Sequence, residues 1–234
     1  MQMFVPQADQ HTQRPVTFLS EDSVHLRGMY WEPREDKAIS LLLLHDAGAD
    51  RTSWDPFVPL FRTRGWGVLA FDLRGHGESV RQDMHADLLT PHAADLVSPY
   101  KYPQDVKAAI AFLARQTKAD PAKLAIVGAG LGADLAYAAA GRGWGSGSTV
   151  CVGLDEIRGR ALAGSGAFAP RSIYLLYGAG DATSAASVDA FTATAVVPAE
   201  THPYGGTQKT GLSLFAEQQP EILARSIAWI ERTI

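Results

Sequence analysis

The sequence contains a single cysteine, Cys151, which excludes a disulfide framework and any metal site built on cysteine spacing. That thiol lies in an apolar, strand-like run and reads as a small buried hydrophobe. No segment approaches the ~20 consecutive apolar residues of a membrane-spanning helix, so no membrane partner is expected. The opening MQMFVPQADQHTQRP lacks the basic start and unbroken apolar core of a secretory leader, and a cytoplasmic location is the expectation. Charge of one sign never gathers in blocks. The net charge of -4 comes from scattered acids and bases, which leaves no electrostatic footprint for nucleic acid. No metal or cofactor is implied.

What the chain does have is an alternation of strand-like and helix-like segments. At 234 residues and 46% hydrophobic composition it can bury one substantial core, so the reading is a polar tail over 1–14 and a single domain over 15–234. Residues 16–20 and 23–31 read as an antiparallel hairpin around Glu21-Asp22. The unalternating run ISLLLLH at 39–45 suits a strand covered on both faces. A helix is expected over 54–64, a buried strand over 66–72, a long surface excursion over 79–102 and a helix over 103–116. Strands follow near Lys123, at 149–154 and at 172–177. About seventeen residues separate the last two, too few for a large lid. A helix through 187–191, a strand-like 193–197, a loop at Gly205-Gly206 and a helix over 220–233 close the chain. Such alternation implies a doubly wound, mostly parallel sheet with helices on both faces and sites at the C-terminal ends of its strands.

The chemistry is expected where the strand ending at Val127 turns through Gly128-Ala129-Gly130-Leu131-Gly132-Ala133 into an Ala-rich helix. Two kinds of site use such a turn. In a dinucleotide fold the glycines let backbone approach a pyrophosphate, with Asp155 then available as a ribose ligand. In a nucleophile elbow the flanking glycines permit a strained turn that lifts a central serine above the sheet. Here the centre of that frame is Gly130.

The rest of the chain favours the second kind. Three strand-end motifs occur in order: His45-Asp46-Ala47-Gly48, then Asp72-Leu73-Arg74-Gly75-His76-Gly77-Glu78-Ser79, then the glycine turn. This order resembles the α/β-hydrolase superfamily over most of residues 16–234, and the chain is similar to its small, lidless members of the dienelactone hydrolase or serine aminopeptidase kind. DLRGHGES is the most specific part. The resemblance implies a triad in the order nucleophile, acid, histidine, with an oxyanion hole made by two backbone N–H groups. It puts the nucleophile at Gly130, the acid at Asp181 in Leu175-Leu176-Tyr177-Gly178-Ala179-Gly180-Asp181, and the histidine at Thr210 in Thr210-Gly211-Leu212-Ser213-Leu214-Phe215.

The nucleophile and histidine positions are therefore vacant. Glycine has no side chain to attack a carbonyl, and threonine has no basic nitrogen to take a proton. His45 and Asp46 stand where the family has His-Gly, so a carboxylate falls close to where oxyanion charge would develop. The N–H groups of Ala47 and Leu131 are expected to form an anion-binding concavity, with His45 and Asp46 beside it as candidate ligand contacts. The expectation is a hydrolase-fold pseudoenzyme, with a degenerate triad and a nucleophile elbow, that serves a small-molecule or protein partner. An alternative is an ester or lactone hydrolase in which Asp181 or Asp46 activates water with His202 as a substitute base. A second is a dinucleotide-binding protein using Gly128, Gly130 and Gly132. His76 reads as a structural loop residue, and His45, besides its candidacy as a ligand contact, as a satisfied strand-end side chain. His85 and His92, with Asp83, Asp87 and Asp95, match no ligand spacing and read as a solvated loop. On this reading Gly130→Ser with Thr210→His should create esterase activity.

Overall fold

In the computed structural model, which describes residues 13–234, the unalternating apolar runs become the inner strands of a single nine-stranded sheet. Its order is β1 (Gln13–Leu19), β2 (Val24–Trp31), β4 (Gly67–Phe71), β3 (Ala38–Leu44), β6 (Ala119–Ala129), β7 (Ser148–Val152), β8 (Arg171–Gly178) and β9 (Val196–Tyr204), with the two-residue β5 (Arg81–Gln82) paired to β2. The first hairpin and the β2–β4 pair are antiparallel, and every pair from β4 through β9 is parallel. Most of the 1–14 tail lies outside the described residues, while Gln13 and Arg14 already belong to β1.

Side chains alternate across a strand, so each inner strand feeds two cores. Leu42, Leu44 and Ile126 enter one core, with α2 (Tyr102–Ala114) and α3 (Leu131–Arg142). Leu41, Leu43, Ala125 and Val127 enter the other, with α1 (Val58–Arg62), α6 (Gly211–Glu217) and α7 (Glu221–Thr233). The alanines of α3 let it lie close to the sheet, and every residue from Leu131 to Gly141 is buried.

The chain departs from its sequence reading in three places. The helix expected over 54–64 shrinks to a 3-10 turn, Arg51–Trp54, and the five-residue α1, because Pro56 and Pro59 deny helical N–H bonds across the gap. The segment 155–170 holds α4 (Glu156–Ala163), capped by the Asp155 carboxylate on Arg158 N; its glycine and charged residues hide the periodicity. The strand expected at 193–197 starts later and runs over Val196–Tyr204, because α5 (Ala182–Thr194) takes in residues 193 and 194. Pro198 and Pro203 inside that edge strand disguise it.

DLRGHGES is a knot of backbone ties. Buried Asp72 accepts from Arg51 N at 2.8 Å and Glu78 N at 2.9 Å, and it pairs with the Arg51 guanidinium. Arg74 reaches two elements at once: Asp105 on α2, through Nε at 2.9 Å and Nη2 at 2.7 Å, and Asp22 in the β1–β2 turn, through Nη1 at 2.6 Å. Asp105 is fully buried. Removing one partner of a buried pair strands the other charge, so Asp105→Ala should cost about 3–5 kcal/mol in urea unfolding. Asp22→Ala, at the more exposed end of the same arginine, should cost clearly less; equal losses would contradict this picture.

Candidate active-site turn

The glycine turn owes its composition to close packing and to one strained backbone angle. A Cβ on Gly128 would stand 2.0 Å from Gly132 O, and one on Gly132 would stand 2.1 Å from Leu44 O. Only glycine lets α3 approach β6 and β3 so closely. Gly130 is different: with φ 55° and ψ -119° it takes a conformation that side chains rarely tolerate, yet it is fixed by Gly130 N donating to Val152 O at 3.0 Å. Gly130 thus forms a strained corner between β6 and α3.

The space above Gly130 is taken by Asp46. A Cβ built on Gly130 would fall 2.0 Å from the Asp46 Cγ and Oδ1 and 2.1 Å from Oδ2. Asp46 Oδ1 accepts from Ala47 N at 2.7 Å and from Leu131 N at 2.9 Å. Those are the two N–H groups expected to form an open concavity; in the structure they already hold an anion supplied by the chain itself. The Leu131 N–H is also the first donor of α3, so the carboxylate caps a helix N-terminus as well.

Two buried imidazoles fix the loop that carries Asp46. His45 Nδ1–H donates to Asp46 O at 2.7 Å, and His45 Nε2 accepts from Leu73 N at 2.9 Å. His76 Nε2 accepts from Gly48 N at 3.2 Å, and its ring lies edge-on to His45 at 5.1 Å. Both imidazoles use a neutral nitrogen as acceptor. Burial pushes the His45 pKa down to about 4. The sequence offers His45 both as a ligand contact and as a satisfied strand-end side chain; in the structure it is completely buried, with both nitrogens engaged inside the fold.

The other expected positions come together only in part. Gly211, next to Thr210, reaches the turn: a Cβ on it would stand 2.7 Å from Asp46 Oδ2 and 3.2 Å from Gly130 N. The Thr210 hydroxyl instead packs on Gly153, where a Cβ would stand 2.0 Å from Oγ1. Asp181 begins α5, its Oδ1 accepting from Thr183 N at 3.2 Å and its Oδ2 from Ser184 Oγ at 2.6 Å. Its turn does border the segment before Thr210, since a Cβ on Gly178 would stand 2.6 Å from Lys209 O. His202 sits in β9, with Nε2 3.8 Å from Glu221 on α7 and its ring 4.8 Å from Tyr204. Burial and nearby Arg225 lower its pKa, and β7 and β8 separate its strand from β6.

Sequence reasoning missed one charged pair behind the turn. Asp134, fully buried in the first turn of α3, accepts from Asp155 N at 2.8 Å and binds Arg158 Nε. Asp134 and Asp155 are the carboxylates that chiefly hold the Arg158 charge, and Asp46 adds to them more weakly. No motif marks either residue. Arg158 belongs to α4, whose helical period is itself unreadable in the sequence.

The family profile described as the alpha/beta hydrolase family matches residues 41–230. Among curated proteins, the chain is 26% identical over 166 residues to an uncharacterized protein, YfhR, of Salmonella typhimurium, covering 69% of this chain and 49% of that one. The chain thus spans about half the length of the curated relatives it matches. Among solved structures it is similar to the Pyrococcus furiosus esterase Pf2001, with a TM-score of 0.72 at 17% identity over 96% of this chain and 94% of that one. It is also similar to XC6422 from Xanthomonas campestris, described as an a/b serine hydrolase without lid, with a TM-score of 0.69 at 15% identity over 94% of each chain. At these identities the two structures speak to the fold alone.

The neutral His45 makes a definite pH prediction. Its folded pKa of about 4 lies below the ordinary 6.5, so the unfolded chain binds more protons between those values. Stability should fall by about 3 kcal/mol as pH drops from 6.5 to 4, at ~1.4 kcal/mol for each pH unit, with no further loss from this group below. His45→Gln should be less stable at pH 8 but should lack this fall in urea unfolding measured across pH. Equal pH slopes in the two proteins would contradict the assignment.

Proposed function

The chain belongs to the alpha/beta hydrolase family, and we propose that it is a member without the serine acyl-enzyme route, one that works by binding a small molecule or a protein partner. The observation that carries this reading is the Asp46 carboxylate on Ala47 N and Leu131 N, directly over a glycine at the elbow. An acyl transfer needs a nucleophile at the elbow and two free N–H donors for the developing oxyanion. At this turn glycine offers no nucleophile, and an internal anion occupies both donors.

The same contacts weigh against the rival readings. A pyrophosphate at the glycine turn needs the α3 N–H groups, and Leu131 N is already paired with a carboxylate. The alternative that joins Asp181 to His202 finds the Asp181 oxygens capping α5 and His202 facing Glu221. For Asp46 to serve as a base, it would have to give up the two hydrogen bonds that hold it in place.

The test is hydrolysis of short nitrophenyl esters by the wild-type chain and by a graded set of variants. Wild type should turn over at the background rate. Gly130→Ser with Thr210→His, which the sequence alone leads one to expect to create esterase activity, should instead remain near background, because Asp46 still fills the hole. Adding Asp46→Gly to that pair should raise the rate by at least ~10²-fold, the worth of a freed oxyanion donor. Wild-type turnover that Asp46→Asn or Asp181→Ala abolishes would overturn the proposal in favour of an enzyme of non-standard mechanism.

A further inference from the structure

Asp46 and Arg158 are fastened to the same turn of one helix. Asp46 Oδ1 accepts from the N–H of Leu131, the first residue of α3, at 2.9 Å, and three residues on Asp134 binds Arg158 Nε. Residues i and i+3 of a helix are neighbours, with Cβ atoms about 5–6 Å apart, and helical side chains tilt toward the N-terminus. The Asp134 carboxylate therefore holds the guanidinium near the end of α3 that Asp46 caps. The electrostatics agree with this placement: burial disfavours the Arg158 charge, and Asp134, Asp155 and Asp46, in that order, favour it.

Each side chain spends only part of its bonding capacity inside the fold. Asp46 takes both of its hydrogen bonds on Oδ1, and Oδ2 accepts none among the described residues. Arg158 donates through Nε alone, and its Nη1 and Nη2 have no partner among the described residues. These free atoms are not sealed in the interior. Asp46 is half-buried, and the Arg158 side chain keeps 29% of its surface exposed. Ala47 and Gly48 beside them are exposed, and a Cβ on Gly48 would meet nothing within 4 Å, so the corner opens outward.

A guanidinium edge suits a carboxylate, which takes two parallel N–H bonds, while a free carboxylate oxygen suits a donor. Charge then narrows the choice. Asp46, Asp134 and Asp155 stand around Arg158, three acids against one base. A bare anion would add a fourth negative group, and a bare cation would leave the arginine edge unused. A molecule with both an ammonium and a carboxylate engages both side chains and adds no net charge.

We propose that Asp46 Oδ2 and the Nη edge of Arg158 form a binding site for a small zwitterion, in its simplest form an amino acid, with the ammonium on Asp46 and the carboxylate on Arg158. This names a ligand class for the turn and rests on the reading of the chain as a binding protein. Asp46 keeps Ala47 N and Leu131 N when such a ligand binds, so the filled elbow and the site are compatible.

The experiment is an NMR titration of the full chain, read at backbone amides and at the Arg158 Nε–H. The probes are glycine, β-alanine and 4-aminobutanoate, whose two charges stand progressively further apart. At least one should saturate, with its largest shifts at Ala47, Leu131 and the Arg158 side chain. Propylamine and propanoate, with one charge each, should bind at least ~10-fold more weakly, since each forgoes a charge-assisted hydrogen bond. Asp46→Asn keeps an acceptor for the two backbone N–H groups but turns the free oxygen into a donor, so it should lose zwitterion binding while staying folded. Arg158→Lys keeps the charge beside Asp134 and loses the fork; it should weaken the zwitterion by about tenfold and leave propylamine unchanged. Saturation by none of the three, equal binding of a zwitterion and propylamine, or undiminished binding to either variant would overturn the assignment. Ester turnover by the wild-type chain would instead defeat the reading beneath it, so the two failures are told apart on one preparation.

Discussion

The Asp46 carboxylate bound to Ala47 N and Leu131 N is the contact around which the C-terminal edge of the sheet is arranged. It closes the first turn of α3, fills the volume above Gly130 and touches the position beside Thr210. Without an anion there, two N–H groups at a helix N-terminus would wait for water or a ligand. With it, the fold carries in its ground state the charge pattern that a serine hydrolase reaches only in its transition state. A serine at residue 130 and an aspartate at residue 46 compete for one space. The glycine at 130 and the carboxylate at 46 are two sides of one arrangement.

That arrangement depends on neighbours that hold the loop and not the ligand. His45 and His76 give their acceptor nitrogens to Leu73 N and Gly48 N, so the loops after β3 and β4 are tied to each other through neutral rings. Arg74 then ties the second loop to α2 and to the first hairpin turn. The ordering runs inward from a charged pair, through two imidazoles, to a carboxylate. Each layer leaves its buried polar groups paired. None of these ties involves a side chain at residue 130.

Much of this is legible in the sequence. ISLLLLH, WGVLAFD and KLAIVGA announce strands covered on both faces, and GAGLG with the Ala-rich run after it announces the turn into α3. Motif order singles out Gly130 and Thr210 together, and the structure brings Gly211, next to Thr210, to Gly130. Three things are hidden. The rotamer of Asp46 decides whether the concavity is open or filled, and no spacing rule encodes a rotamer. The helix α4 and its Arg158 are masked by a sequence, EIRGRALA, whose arginines and glycine blur the period. His202 looks like a loop residue because prolines on either side conceal an edge strand, and only strand pairing fixes its direction toward α7.

The central claim is that residue 130 has no side chain because Asp46 takes its place, and a stability cycle tests it most directly. Gly130→Ala is made in the wild-type chain and in an Asp46→Gly background, and both penalties are read by urea unfolding. The positive φ at Gly130 penalises alanine in both backgrounds, so that part cancels. The account predicts a penalty larger by roughly 1–2 kcal/mol when Asp46 is present, because a new methyl group must evict a hydrogen-bonded carboxylate. Equal penalties in the two backgrounds would mean that Asp46 and the elbow are independent, and the account would fail.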